Sequence, residues 1–341
     1  MKKIILLLLV LFIAIGGYIG YNYYQKIYAP AVISSEYKVL YISSNWDYKT
    51  LLIALKDSVW LESASNFDWV AQQKNYPNRV KPGKYKIEAN WNNAQIIDRL
   101  RSGEQIPVKV TFNNQRTIAQ LAGAVSKYLE ADSVEFLNYF IDNKTVGKYG
   151  FNKATFPALF IPNTYQFFWN TSPEKFVYRM AQEFKSFWNT KRKAKATRLN
   201  LTQSEVVTLA SIVEEETKMN DEKPQVAGVY LNRLRKNMLL QADPTLIFGI
   251  GDFSIRRVLN IHKKINSPYN TYLYKGLPPG PIRIPEISSV DAVLNPQNHM
   301  FLYFCAKEDF SGYHNFATNY RDHINNARRY QQALNQRKIY N

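Results

Sequence analysis

The chain has 341 residues, 46% hydrophobic and 14% aromatic, a composition that places it among globular proteins and excludes an intrinsically disordered one. Its 44 Lys and Arg against 27 Asp and Glu give a formal net charge of +17, which favours a polyanionic partner: nucleic acid, an anionic lipid surface or an anionic cell-wall polymer. One cysteine, Cys305, excludes an intrachain disulfide framework and a Cys-rich zinc site, and the four histidines show no HExxH spacing, so no metal or other cofactor is expected.

Lys2 and Lys3 precede a segment from Ile4 to Gln25 without a charged residue, long enough to cross a bilayer as a helix. A cleaved signal peptide is the rival reading, but no small-x-small site closes the run. It ends instead in Tyr18, Tyr21, Tyr23 and Tyr24, an interfacial aromatic belt. Residues 1–25 are therefore read as an uncleaved, single-pass anchor with residues 4–25 in the cell (inner) membrane. Lys2 and Lys3 put the N-terminus in the cytoplasm and the folded part on the periplasmic or extracytoplasmic side. That location, with no zinc-finger or RNP-like pattern, leaves no role for nucleic acid.

Residues 26–38 read as a tether and residues 39–112 as a small α+β unit. "VLYI" is a short strand, and residues 47–55 have helical spacing with Leu51, Leu52 and Leu55 apolar. After the turn "KPG", Tyr85 and Ile87 alternate with Lys84, Lys86 and Glu88 as a second strand. Asn92 or Asn93 caps a helix that Gly103 stops, and "PVKVTF" alternates as a further strand. From Thr117 to about Trp188 the pattern is mainly helical, interrupted by "FPALFIPNTYQFFW".

The stretch "LTQSEVVTLASIVEEETKM" is a helix with Thr202 as N-cap and Glu205 three residues on. Val206, Val207, Leu209, Ala210, Ile212 and Val213 form one apolar arc. On that wheel Glu215 lies roughly 170° from the arc centre, facing solvent; Glu214 is roughly 90° off, and Glu216 roughly 70° off, between the directions of Leu209 and Ile212. A carboxylate on a partly apolar face loses hydration and its pKa rises, which suits a general acid. Glu216 is the first choice for that role and Glu214 the second.

Asn232 and Arg233 follow on a helix, and "DPT" reads as a helix entry with Asp243 as cap, Pro244 at the first position and Thr245 behind it. A long loop rich in Pro, Tyr and Asn carries Tyr269, Asn270, Thr271 and Tyr272, side chains that suit hydrogen bonding and stacking on carbohydrate. A strand, a Gly-containing turn and then His314 come next. No Ser stands in a nucleophile elbow.

Taken together, "LASIVEEET", "NRL…QADPTLIFG", "SPYNTYLYKGLPPGPI" and "YFCAKEDFSGYHNFATN", in this order, resemble the MltG (YceG-like) family of endolytic murein transglycosylases. "FIPNTYQFFW" is similar to a Phe-x-Pro-(Asp)-Thr-Tyr segment of that family, with Asn163 where Asp is usual, and Pro157-Ala158-Leu159 replace its acidic and glycine positions. The resemblance implies an α+β architecture: a transmembrane helix, a LysM-like domain at 39–112, and a mixed α/β catalytic domain at 113–341. It maps the catalytic glutamate onto Glu216 and a family position onto Glu214. It further implies a lyase that cleaves the MurNAc–GlcNAc β-1,4 bond of nascent peptidoglycan strands, forming 1,6-anhydro ends and ending strand elongation, with cell-wall synthases as partners. A lysozyme-like hydrolase, a non-catalytic wall-binding scaffold and an anionic-lipid-binding membrane protein are the alternatives, the last explaining the charge and the anchor but not the carboxylate helix. Asn232, Asp243, Thr245, the four loop residues and His314 complete the candidate substrate-binding or supporting set.

Overall fold

The computed structural model describes residues 2–337, and the chain separates into two compact units. The first comprises the chain up to Val110 with two short returns, 128–131 and 166–172.

Helix α1 (Lys2–Tyr28) has no buried residue, and its apolar surface is exposed along its length. It is the one described helix long and apolar enough to cross a membrane. The stretch read as a tether is part helix and part packed chain. Pro30 bridges Asn92, Val32 bridges Leu61, and Ala31 and Val32 are buried. Two apolar residues with backbone partners have no reason to remain in solvent.

Strand β1 (Lys38–Ile42) leads into α2 (Tyr48–Lys56) and α3 (Ala64–Gln73), followed by β2 (Gly83–Ile87) and α4 (Asn93–Ser102). Asp47 caps α2 by accepting from Thr50 N–H. Asn92 and Gln95 form a reciprocal capping box on α4, and Gly103 ends it at φ +76°. The strands pair antiparallel from Lys38↔Ile87 to Ile42↔Gly83. Tyr85 and Ile87 turn inward onto Leu51, Leu55, Phe67, Ile96, Ile97 and Leu100, while Lys84 and Lys86 turn outward. The sequence reading has no element at α3, whose only strong signal is the Ser63 cap.

Strand β3 (Val108–Phe112) carries the chain from the first unit into the second. Helices α5 (Ile118–Ser126), α6 (Ser133–Ile141) and α7 (Asn143–Lys148) follow, then a short 3₁₀ turn and β4 (Asn163–Phe167), which pairs with β3. Next come α8 (Pro173–Phe187), α9 (Thr190–Arg198), α10 (Gln203–Glu216), α11 (Lys223–Arg235), α12 (Asp243–Ile250) and α13 (Ile287–Leu294). The hairpin β5 (Tyr303–Ala306) and β6 (His314–Ala317) and helix α14 (Tyr320–Gln336) close the chain. The fold is thus α+β with an apolar N-terminal helix, and its second unit is mostly helical.

Helix α10 is the axis of that unit, with α9, α11, α12 and α13 packed around it. Thr202 and Glu205 close its start as a capping box. Every residue from Val206 to Glu214 is buried. The apolar ones pack with Tyr230, Leu231, Ile282, Val290 and Val293. At ~1.5–3 kcal/mol per buried aliphatic side chain, this packing and not helix propensity holds α10 in place.

Candidate active site

The last turn of α10 sends its three glutamates to three different parts of the chain. Glu214 is the most deeply buried. Its carboxylate accepts from Asn114 Nδ2 (2.7 Å), Glu286 N–H (2.6 Å) and Ser289 Oγ (2.9 Å), and pairs with Arg283 Nε at 3.4 Å. Two of these donors lie at the start of α13, where the helix dipole also favours a negative charge. A buried carboxylate so fully partnered ties segments together and has no lone pair to offer a substrate.

Glu215 differs from its expected place in solvent. Its side chain is only 17% exposed, and it pairs with Arg283 Nη1 and with Arg116 Nη2 at 3.3 Å. Arg283 Nη2 also donates to the Asn114 carbonyl at 2.8 Å. The wheel assumes a solvent side, and a helix enclosed all round does not have one.

Glu216 is the one with a free oxygen. Tyr230 OH donates to its Oε1 at 2.6 Å, and Oε2 has no hydrogen-bond partner among the described residues. Its side chain borders two cavities. One, about 330 Å³, is lined by Arg116, Glu215, Asp243, Phe248 and Phe253 among others. The other, about 520 Å³, is lined by Tyr230, Arg233, Asp243, Lys263, Tyr272 and His314 among others. Glu216 and Asp243 belong to both, so these two carboxyls stand at the divide. Burial pushes the Glu216 pKa up to about 7. The Tyr230 hydrogen bond opposes the rise and the negative charge of Asp243 adds to it.

The other expected residues, Tyr269 apart, divide into two groups. Asp243, Tyr272 and His314 line the larger cavity with Glu216. Asp243 is not the cap of α12, which is Ala242. It occupies the first turn and accepts a hydrogen bond from Tyr272 OH. Lys263 Nζ lies 4.8 Å from the Tyr272 ring centroid. His314 Nδ1 lies 2.8 Å from the buried Glu222 carboxylate, which also accepts from His314 N–H at 2.7 Å. A carboxylate only accepts, so Nδ1 carries a proton toward Glu222, and Nε2 is the ring nitrogen left for the cavity.

Five residues instead hold the scaffold. Asn232 donates to the carbonyls of His299 and Phe301. Thr245 and Thr271 share a buried hydroxyl contact at 2.9 Å, and Thr271 accepts from Ala242 N–H. Asn270 donates to the carbonyls of Lys263 and Ile265 and accepts from Tyr272 N–H. Glu214 is the fifth. Tyr269 packs its ring on Phe248, centroids 4.8 Å apart.

Sequence reasoning missed Tyr230, Arg116, Glu222 and Arg283, and named Arg233 without a role. Tyr230 and Arg233 are three residues apart on one face of α11, and that spacing on a buried helix was the available signal. Arg233 is buried and donates to the carbonyls of Leu302 (2.6 Å) and Leu240 (2.7 Å), which fixes the cavity wall.

A further cavity, about 600 Å³, sits at the other end of α10 among Leu199, Leu231, Leu234 and Leu277. Its one carboxyl, Glu205, is engaged in the helix cap. Among the described residues, no cluster of His, Cys, Asp and Glu is placed to hold a metal ion.

The family model described as the YceG-like family matches residues 40–329. The chain belongs to the YceG-like family. This YceG-like chain is 29% identical over 312 residues to an endolytic murein transglycosylase of Bacillus subtilis, covering 86% of this chain and 85% of that one. It is 26% identical over 348 residues to the endolytic murein transglycosylase of Streptococcus pneumoniae, covering 92% of this chain but 62% of the pneumococcal protein's length. The crystal structure of a yceG-like protein from Listeria monocytogenes matches with a TM-score of 0.56 at 25% identity, covering 86% of this chain and 99% of that one.

Proposed function

We propose that this chain is an endolytic murein transglycosylase that cleaves the β-1,4 bond between MurNAc and GlcNAc and leaves a 1,6-anhydro end. The observation that carries the reading is Glu216: a carboxyl with a pKa near neutrality, one oxygen held by Tyr230 and the other free, at the divide of two cavities. Relatives that bear this name cover most of the chain.

In the proposed reaction, protonated Glu216 gives its proton to the bridging oxygen as the C1–O bond breaks. Its carboxylate then takes the proton of the C6 hydroxyl as that oxygen bonds to C1 of the same MurNAc. No water is consumed, and Glu216 ends protonated. The nucleophile is already tethered to the reacting ring, so proximity replaces a second protein nucleophile. Asp243 faces the same cavities and its negative charge suits the positive charge that develops at C1. His314, oriented by Glu222, offers a ring nitrogen to a sugar hydroxyl.

Asp243 also favours a second reading. Two carboxyls at one site are the equipment of a glycoside hydrolase, with water as the nucleophile. Incubating the full chain in detergent with uncrosslinked glycan strands separates the two. Anhydro-ended fragments support the lyase, and fragments heavier by one water support hydrolysis. Glu216→Gln abolishes release in either case, and retained release in that variant refutes the acid assignment.

The first unit is read as LysM-like, supported by its antiparallel pair β1 and β2 enclosing two helices. Helix α1 is read as the membrane anchor with the N-terminus inside, supported by its exposed apolar surface and by Lys2 and Lys3.

A further inference from the structure

The uncharged run from Ile4 to Gln25 is 22 residues, or about 33 Å of helix against a hydrocarbon core of about 30 Å. If α1 crosses a bilayer, Tyr23 and Tyr24 therefore fall at the boundary far from Lys2, and Lys26 falls among the headgroups. The last turns of the same helix pack on α3 and α4 of the small unit. Tyr23 stacks on Trp69 with centroids 5.1 Å apart, and Lys26 Nζ lies 5.5 Å from that same ring. Asn93 Nδ2 donates to the Lys26 carbonyl at 2.9 Å. The chain beyond is paired at once: Ala31 N–H donates to the Trp91 carbonyl (2.8 Å) and Ile33 N–H to that of Trp60 (2.7 Å).

No free linker separates the apolar helix from this unit, so the depth of Tyr23 sets the depth of Trp69. We propose that the small unit docks on the phospholipid headgroup layer, with Trp69 at the boundary between headgroups and acyl chains. This rests on reading α1 as a membrane anchor. The chemistry fits the occupant. Trp69 is half-buried with Lys26 beside it, and Trp91 carries Arg99 at 5.2 Å. Amphipathic rings paired with basic heads are the side chains that settle at a lipid interface. The bilayer thereby becomes a third wall of the unit, and the unit is held flat instead of swinging on a chain.

The test uses the full chain reconstituted in phosphatidylglycerol and phosphatidylethanolamine vesicles, with and without bromine on the acyl chains. Flotation with the vesicles tests the anchor; failure to float refutes that reading. In floated protein, shallow bromine at carbons 6 and 7 quenches tryptophan emission more than deep bromine at carbons 11 and 12. Among six single Trp→Phe variants, Trp69→Phe shows the largest loss of that quenching. Trp46→Phe and Trp188→Phe show none. A floated protein whose emission ignores bromine, or in which Trp69→Phe is quenched as fully as the wild type, overturns the docking and leaves the anchor standing.

Discussion

Replacing Glu216 by Gln should make the protein more stable at pH 8 while it destroys activity. The carboxyl's pKa is pushed up to about 7 from an ordinary value of 4.5 because burial disfavours the charged form. Below pH 4.5 the group is protonated whether the chain is folded or unfolded, and its ionisation costs the fold nothing. Between 4.5 and 7 the unfolded chain releases the proton and the folded chain keeps it, so stability falls as pH rises. Each pH unit of that window is worth about 1.4 kcal/mol. The loss is complete above pH 7 and amounts to roughly 2–3.5 kcal/mol, the upper figure being a ceiling because Glu216 keeps a solvent-facing edge. Gln cannot ionise, so the variant escapes this loss, and Tyr230 still has an oxygen to donate to. Thermal unfolding of the full chain in detergent, followed by circular dichroism at pH 4.5, 6 and 8, measures the difference. The variant should match the wild type at pH 4.5 and melt higher at pH 8, by about 4–14 °C at ~2–4 °C per kcal/mol. An offset that is the same at all three values, or that reverses, would refute a desolvated Glu216.

The hydrogen bond and the charge around that carboxyl give further outcomes. Tyr230→Phe removes the contact that lowers the Glu216 pKa, so the alkaline limb of the pH–rate profile moves to higher pH. Asp243→Asn removes a charge that raises it, and the limb moves to lower pH. Glu214→Ala leaves Arg283 Nε, Asn114 Nδ2 and the donors at the start of α13 without their acceptor, and should cost about 3–5 kcal/mol by thermal unfolding. Gly280→Ala places a Cβ 2.0 Å from the Ala154 carbonyl; soluble yield and melting temperature should both drop, with about 1–3 kcal/mol lost.

Local chemistry in this chain could be read before any coordinates. The caps at Thr202 and Asn92, the stop at Gly103, and the alternation of Tyr85 and Ile87 depend on residues within a few positions of one another, and each reappears in the structure. The position of Glu216 at the edge of an apolar surface was legible for the same reason. Glu215 was not, because its partners Arg116 and Arg283 lie 99 and 68 residues away. The loop residues Asn270 and Thr271 suggested carbohydrate by composition. The Asn270 amide is spent on the loop's own backbone and the Thr271 hydroxyl on Ala242 and Thr245, because a buried connection has to satisfy its polar groups somewhere. Composition gives the donors and acceptors of a segment but not their direction.

The three-way splaying of the α10 glutamates also fixes when the site can exist. Synthesis delivers Asn114 and Arg116 first, then the helix, and only some seventy residues later Arg283, Glu286 and Ser289. Until those arrive, Glu214 has only Asn114 and Glu215 only Arg116 for a partner, on a helix whose neighbour α13 has not been made. His314 completes the second cavity still later, 92 residues after Glu222. A chain interrupted before Arg283 carries the whole glutamate motif and no assembled cleft, so a partly made copy cannot cut the polymer it is built to trim.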